Sequence, residues 1–218
     1  MNPDAMNDTL FKWASNINIG YIIRFHEFIL SELCRKEDEL NYAISSFKGD
    51  SKGQIDLLVE RDLYASTYKQ HLMTNTFLLL YSHLEEWLLH IEKTYAKSIK
   101  RNTSRSSRGS ISRFKPIIQH TLRSDVSRDK TCEFLLEAEK VRNCLLHANA
   151  RIDLARNSRD SQELRKLVRK SKGDLSEKNL RLYVHQGYVK KLFQCIQHII
   201  LRLETASEDK EGNGGERI

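Results

Sequence analysis

At 218 residues the chain has room for one ordinary domain with extensions and for a sizeable hydrophobic core. Lysine and arginine number 36 against 29 acids, a formal charge of +7 that favours acidic partners such as RNA, DNA or anionic lipid. Cys34, Cys132, Cys144 and Cys195 are scattered with no C-x-x-C pair, which argues against a zinc site or a disulfide framework and fits a reduced cytoplasmic setting. No stretch reaches the ~18 apolar residues of a membrane span, and the start "MNPDAMNDTLFKW" has neither the basic nor the apolar region of a secretory signal.

Only two prolines and nine glycines punctuate the sequence, so the expected class is all-α, a bundle of long helices. A single helical domain is expected over about residues 1–205, with an N-terminal extension to about 50 and a disordered polar tail, "ASEDKEGNGGERI", over 206–218. The first helix is predicted from Asp8, as N-cap, to about Phe47, where "KGDSKGQ" breaks it. The second runs from about Gln54 to Ile99. Within it Met73, Phe77, Leu80, Leu84, Trp87 and Ile91 recur at alternating spacings of four and three, the period of a stripe that faces other helices.

The segment "KSIKRNTSRSSRGSISRFKP", about 97–115, is serine-rich and basic with no acid, and reads as a loop. Two readings stand: a solvated connector, or an arm that contacts phosphates through Arg101, Arg105 and Arg108. A third helix is predicted from Ser127 or Arg128 to about Leu154, followed by a basic region around "SQELRKLVRKSKGD". "LRLYVH" alternates weakly as a short extended segment, and the last helix stacks Val189, Leu192, Ile196, Ile199 and Leu203 on one stripe.

The stretch "VRNCLLHANARI" carries the chemistry. At about 100° per residue, Phe134, Ala138, Val141, Leu145, Ala148 and Ile152 share one arc, which faces the core. Asn143 and His147, four apart, stack on the opposite side, with Arg151 at its margin as a further candidate for RNA contact. Arg142 lies at the edge of the core arc, from where its long side chain can reach the Asn143 and His147 face. Leu136 and Leu146 are expected to frame the trio as exposed apolar side chains, a surface that usually has a partner. An imidazole with the ordinary value of about 6.5 serves as base or acid, a guanidinium holds phosphate oxygens through a planar fork, and an amide orients either.

"RNCLLH", preceded by "HLEEWL" and followed by "ANARI", resembles the R-x4-6-H motif of the HEPN superfamily, over about Thr74 to Glu204. The resemblance implies an all-helical HEPN-like domain in which Arg142, Asn143 and His147 match the motif, and Glu85 takes the place of a recurrent acidic residue. On the residues themselves, Glu85 reads as well as a structural ion-pair partner that positions Arg142 or another base. The resemblance further implies a homodimer that brings two motifs to one cleft, RNA as substrate, metal-independent cleavage with no cofactor, and a role as toxin or antiviral-defence effector with a possible antitoxin or companion protein. Asn149 stands where members paired with nucleotidyltransferase antitoxins have tyrosine, so modification of that tyrosine is unavailable here. Ala150 stands where related sequences often have glycine. The alternative functional class is a non-catalytic helical RNA-binding or dimerisation module, and a structural scaffold is the third.

Overall fold

The computed structural model describes residues 3–95, 111, 113, 114, 118 and 129–212, which form an all-α bundle carrying one two-stranded hairpin. Helix α1 (Pro3–Ser46) begins before the expected cap at Asp8 and stops where expected, ahead of the glycine-bearing break. Asp50 caps α2 (Ser51–Asp62) by accepting from the Gly53 N–H at 3.0 Å. A π-helical stretch, Leu63–Tyr68, joins α2 to α3 (Lys69–Tyr95), so the second helical region is continuous, and its expected end at Ile99 lies outside the described residues.

Helix α3 is the centre of the bundle. Its stripe of Met73, Phe77, Leu80, Leu84, Trp87 and Ile91 is buried throughout, as the alternating spacing requires. Helix α1 lies antiparallel along it: Phe11 stacks on His90 at 3.7 Å, His26 Nδ1 meets Thr76 Oγ1 at 2.8 Å, and Lys69 bonds Glu37 at 2.5 Å. Part of the stretch expected to be a loop is helical. Ile111, Arg113, Phe114 and Ile118 are helical, and Ile111, Phe114 and Ile118 are buried. Their spacing of three and four builds an apolar face that outweighs the serine-rich composition before it. Arg113 is correspondingly committed, with Nη2 2.5 Å from Oε2 of the buried Glu92.

Asp129 caps α4 (Lys130–His147), accepting from the Thr131 and Cys132 N–H groups at 2.8 and 3.3 Å. The expected continuation to Leu154 is corrected: the helix stops at His147, with Asn149 and Ala150 at φ 49° and 63°. The Ala150 N–H closes the end on the Cys144 carbonyl at 3.0 Å, and a separate 3-10 turn covers Ile152–Leu154. The apolar period survived the break because Ala148 and Ile152 are still buried when the chain turns back beneath the same core.

Asn157 caps α5 (Ser158–Lys170), whose Leu164 and Leu167 face inward. Strands β1 (Leu175–Lys178) and β2 (Arg181–Val184) pair antiparallel with Leu175 opposite Val184, around a two-residue turn, Asn179 and Leu180, with both φ positive. The alternation of "LRLYVH" thus marks a real strand, with Leu182 and Val184 buried. Helix α6 (Gln186–Gly212) buries Val189, Leu192, Ile196, Ile199 and Leu203, as expected. It also corrects the tail, since helix continues past residue 206 to Gly212, and residues 213–218 lie outside the described set. Among the described residues no helix is long and apolar enough to cross a membrane.

Candidate functional site

The core packing of α4 decides which side chains remain for chemistry. Val141, Cys144, Leu145 and Ala148 are buried in the core cluster, so Asn143, Leu146 and His147 must face outward, and all three are exposed. Leu136 differs from expectation: it is half-buried and packs on the core, which leaves Leu146 as the exposed apolar neighbour of the trio.

Arg142 joins the two faces. Its Nη1 donates to Asn143 Oδ1 at 3.0 Å, and its Nη2 approaches Glu85 Oε2 on α3 at 3.4 Å. The guanidinium also lies over the Tyr81 ring, 5.9 Å from its centroid. With Oδ1 turned to the arginine, the two amide N–H donors of Asn143 remain for an external acceptor. Glu85 is largely buried, at 13% side-chain exposure, and its Oε1 has no hydrogen-bond partner among the described residues. Burial pushes its carboxyl above the ordinary carboxylate range, Arg142 opposes that shift, and Glu139 adds to it. Desolvation likewise pushes the Tyr81 hydroxyl up, so Tyr81 remains a neutral phenol against the guanidinium.

Comparison with protein-family models, curated proteins and solved structures finds no match to this chain.

A pocket of ≈ 440 Å³ opens between the C-terminal half of α4 and the first turns of α5. Arg142, Asn143 and His147 line one wall, and Arg156 and Asp160 belong to the other. Its floor includes Cys144, Ala148 and Leu164, all buried. Burial, with Asp153 adding, pushes the Cys144 thiol up to about 11, so the floor is uncharged at neutral pH. Lys140 spans from α4 to Glu163 on α5 at 2.6 Å and ties the walls together. His147 has no hydrogen-bond partner among the described residues, and its ring is open to the pocket.

The other residues singled out by sequence fall elsewhere. Arg151 is not on the pocket wall; it clamps Asp153 through contacts of 2.6 and 2.8 Å. Arg101, Arg105 and Arg108 lie outside the described residues. Sequence reasoning missed Arg156, Asp160 and the whole α5 wall. The signal was present in "ARNSRD", where Asn157 accepts from the Asp160 N–H at 2.8 Å and starts a new helix, but nothing local dictates that this helix docks beside His147. Among the described residues no group of three or more His, Cys, Asp or Glu is arranged to hold a metal ion.

Proposed function

We propose that this chain is a metal-independent endoribonuclease of the HEPN type, acting as a toxin or defence effector through a site completed by a second copy. One observation carries the reading: Arg142, Asn143 and His147 line one wall of an open pocket, with Arg142 braced from behind by the largely buried side chain of Glu85. RNA supplies its own nucleophile, the 2'-hydroxyl, so the protein needs a group to take that proton, a group to protonate the leaving 5'-oxygen, and donors for the charge that develops on phosphorus. His147 performs the proton transfers. The Arg142 fork and the outward N–H donors of Asn143 hold the nonbridging oxygens.

In a two-fold dimer a second His147 supplies the complementary acid, which resolves how one imidazole per chain serves both steps. The test is incubation of purified protein with total RNA or tRNA in EDTA. Fragments ending in 2',3'-cyclic phosphate are expected, and intact RNA at high enzyme concentration rejects the proposal. One observation favours a second reading, a phosphate clamp without chemistry: among the described residues no group orients the His147 ring. Under that reading the same protein shifts RNA in a gel and produces no fragments.

A further inference from the structure

The pocket is larger and chemically more varied than a scissile phosphate requires. Beyond the trio it offers an uncharged floor of small and aliphatic side chains, Cys144, Ala148 and Leu164, which suits the face of a flat ring. On the far wall stands Asp160, in the first turn of α5 and partly exposed. Its carboxylate has no ion pair or hydrogen bond among the described residues, whereas Glu163, three residues on, is held by Lys140 at 2.6 Å and by Arg159 at 3.1 Å. Arg156, exposed on the same wall, is likewise without a partner among the described residues. Glu139, the other open carboxylate of the lining, lies at the Arg142 end, within electrostatic reach of Glu85 and Tyr81.

A carboxylate with both oxygens open accepts two parallel N–H donors. Of the four RNA bases, guanine alone presents two adjacent donors, N1–H and N2–H, on its pairing edge; adenine and cytosine offer one amino group beside an acceptor, and uracil one N–H between two carbonyls. We infer that this pocket is a base subsite that holds one unpaired guanine beside the scissile phosphate, with its ring on the Cys144–Ala148–Leu164 floor, its pairing edge on Asp160, and a flanking phosphate on Arg156. The inference rests on the ribonuclease reading for its placement next to the cleaved bond. The pocket's charge pattern supports it, since the cations meet phosphate and the lone open carboxylate of the far wall meets donors.

The experiment has a cleavage arm and a binding arm. Oligouridylates carrying a single guanosine, inosine or adenosine are incubated with the full chain and the cut sites mapped. Cleavage is expected next to guanosine, with kcat/KM about tenfold lower for inosine, which lacks the 2-amino group, as the loss of one arm of a bidentate base contact implies. Asp160→Asn should erase the ratio between guanosine and inosine substrates. In the binding arm, the His147→Ala protein is titrated with GMP and IMP by NMR, and GMP should bind about tenfold more tightly, a preference that Asp160→Asn removes. RNA cleavage without guanosine preference, together with equal binding of GMP and IMP, overturns the subsite and leaves the ribonuclease standing. Discrimination of GMP from IMP with no cleavage of any RNA keeps the subsite and rejects the nuclease. Tighter binding of GMP than of the guanosine-bearing oligonucleotide overturns RNA as the source of the base.

Discussion

Arg142 on α4 and Glu85 on α3 meet with Nη2 3.4 Å from Oε2, across 57 residues of sequence. Burial is the largest influence on the Glu85 carboxyl and raises it, while Arg142 only partly restores the charge. An acid whose folded value is raised holds an extra proton in the folded state. Stability is therefore greatest below the unfolded value and falls as pH rises through the interval up to the folded value. Glu85→Gln removes that charge while keeping the shape. It should match the wild type in acid and be as stable or more stable at pH 8, by up to about 1 kcal/mol. Urea denaturation at both pH values checks this, and a variant that is weaker at pH 8 means that the ion pair outweighs the burial. Cleavage should fall in the same variant, because Arg142 loses its brace.

That pair also marks how far the sequence could be read. The stripes of α3 and α6 and the outward face of Asn143 and His147 follow from periodicity alone, because each side chain's direction is fixed by its own helix. The pairing of Glu85 with Arg142 was legible only as one of two readings beside its place in the resemblance, because which cation it meets depends on how α3 and α4 pack. The end of α4 was not legible: Ala148 and Ile152 preserve the helical period while Asn149 and Ala150 adopt left-handed backbone. The Asp160 wall was hidden for another reason, since the docking of α5 beside α4 depends on tertiary contacts such as Lys140 with Glu163 rather than on local pattern.

His147→Ala should abolish RNA cleavage while changing stability by no more than about 0.5 kcal/mol, because the side chain is exposed and supports no neighbour among the described residues. Val141→Asp puts an unpaired carboxylate at a fully buried position of the same helix and should unfold the bundle. Circular dichroism melts beside the cleavage assay separate the two effects. Full activity in the His147 variant ends its assignment as the proton-transfer group.

Ala150 at φ 63° occupies backbone that glycine adopts without strain and that a Cβ disfavours by about 1–2 kcal/mol. Its carbonyl accepts from the Leu182 N–H at 2.8 Å, so β2 holds the residue in that conformation. Ala150→Gly relieves the strain and gives back part of the gain through a more flexible unfolded chain. A net stabilisation of about 0.5–1 kcal/mol is expected, read as a higher Tm. A lower Tm would show that the methyl group's packing against the core exceeds the backbone strain.

The seam between α1 and α3 should be sensitive to acid. His26 and His83 are both buried, and desolvation lowers both imidazoles below their ordinary value; Glu27 and Glu86 respectively oppose the shift, while Lys190 reinforces it at His26. Nε2 of each ring has no hydrogen-bond partner among the described residues. A base with a depressed folded value binds fewer protons when folded, so stability is intact above about 6.5 and is lost as pH falls from there towards the folded value. Hydrogen exchange along α1 should accelerate between pH 7 and 5, after correction for the intrinsic rate. His26→Asn, which keeps a polar partner for Thr76 but does not titrate, should flatten that dependence. An unchanged profile in this variant removes His26 as the sensor.

The proposed shared site makes the sharpest demand. Asn143 and His147 project from the single chain beside Leu146, which is 49% exposed, so a second copy docked on this face would cover an apolar side chain and bring two motifs together. Arg142→Ala and His147→Ala proteins should each be nearly inactive as homodimers. Mixing and reannealing them creates heterodimers that keep one arginine and one histidine across the interface. Partial recovery of cleavage is expected, below wild type because one phosphate clamp and one proton-transfer partner are missing. Subunit exchange is verified with differently tagged chains. If exchange is complete and activity stays at the level of the separate mutants, a cleft that works with one arginine and one histidine is ruled out. A strictly monomeric wild-type protein with full activity removes the shared cleft altogether, because Arg142 and His147 of one chain would then complete the site alone.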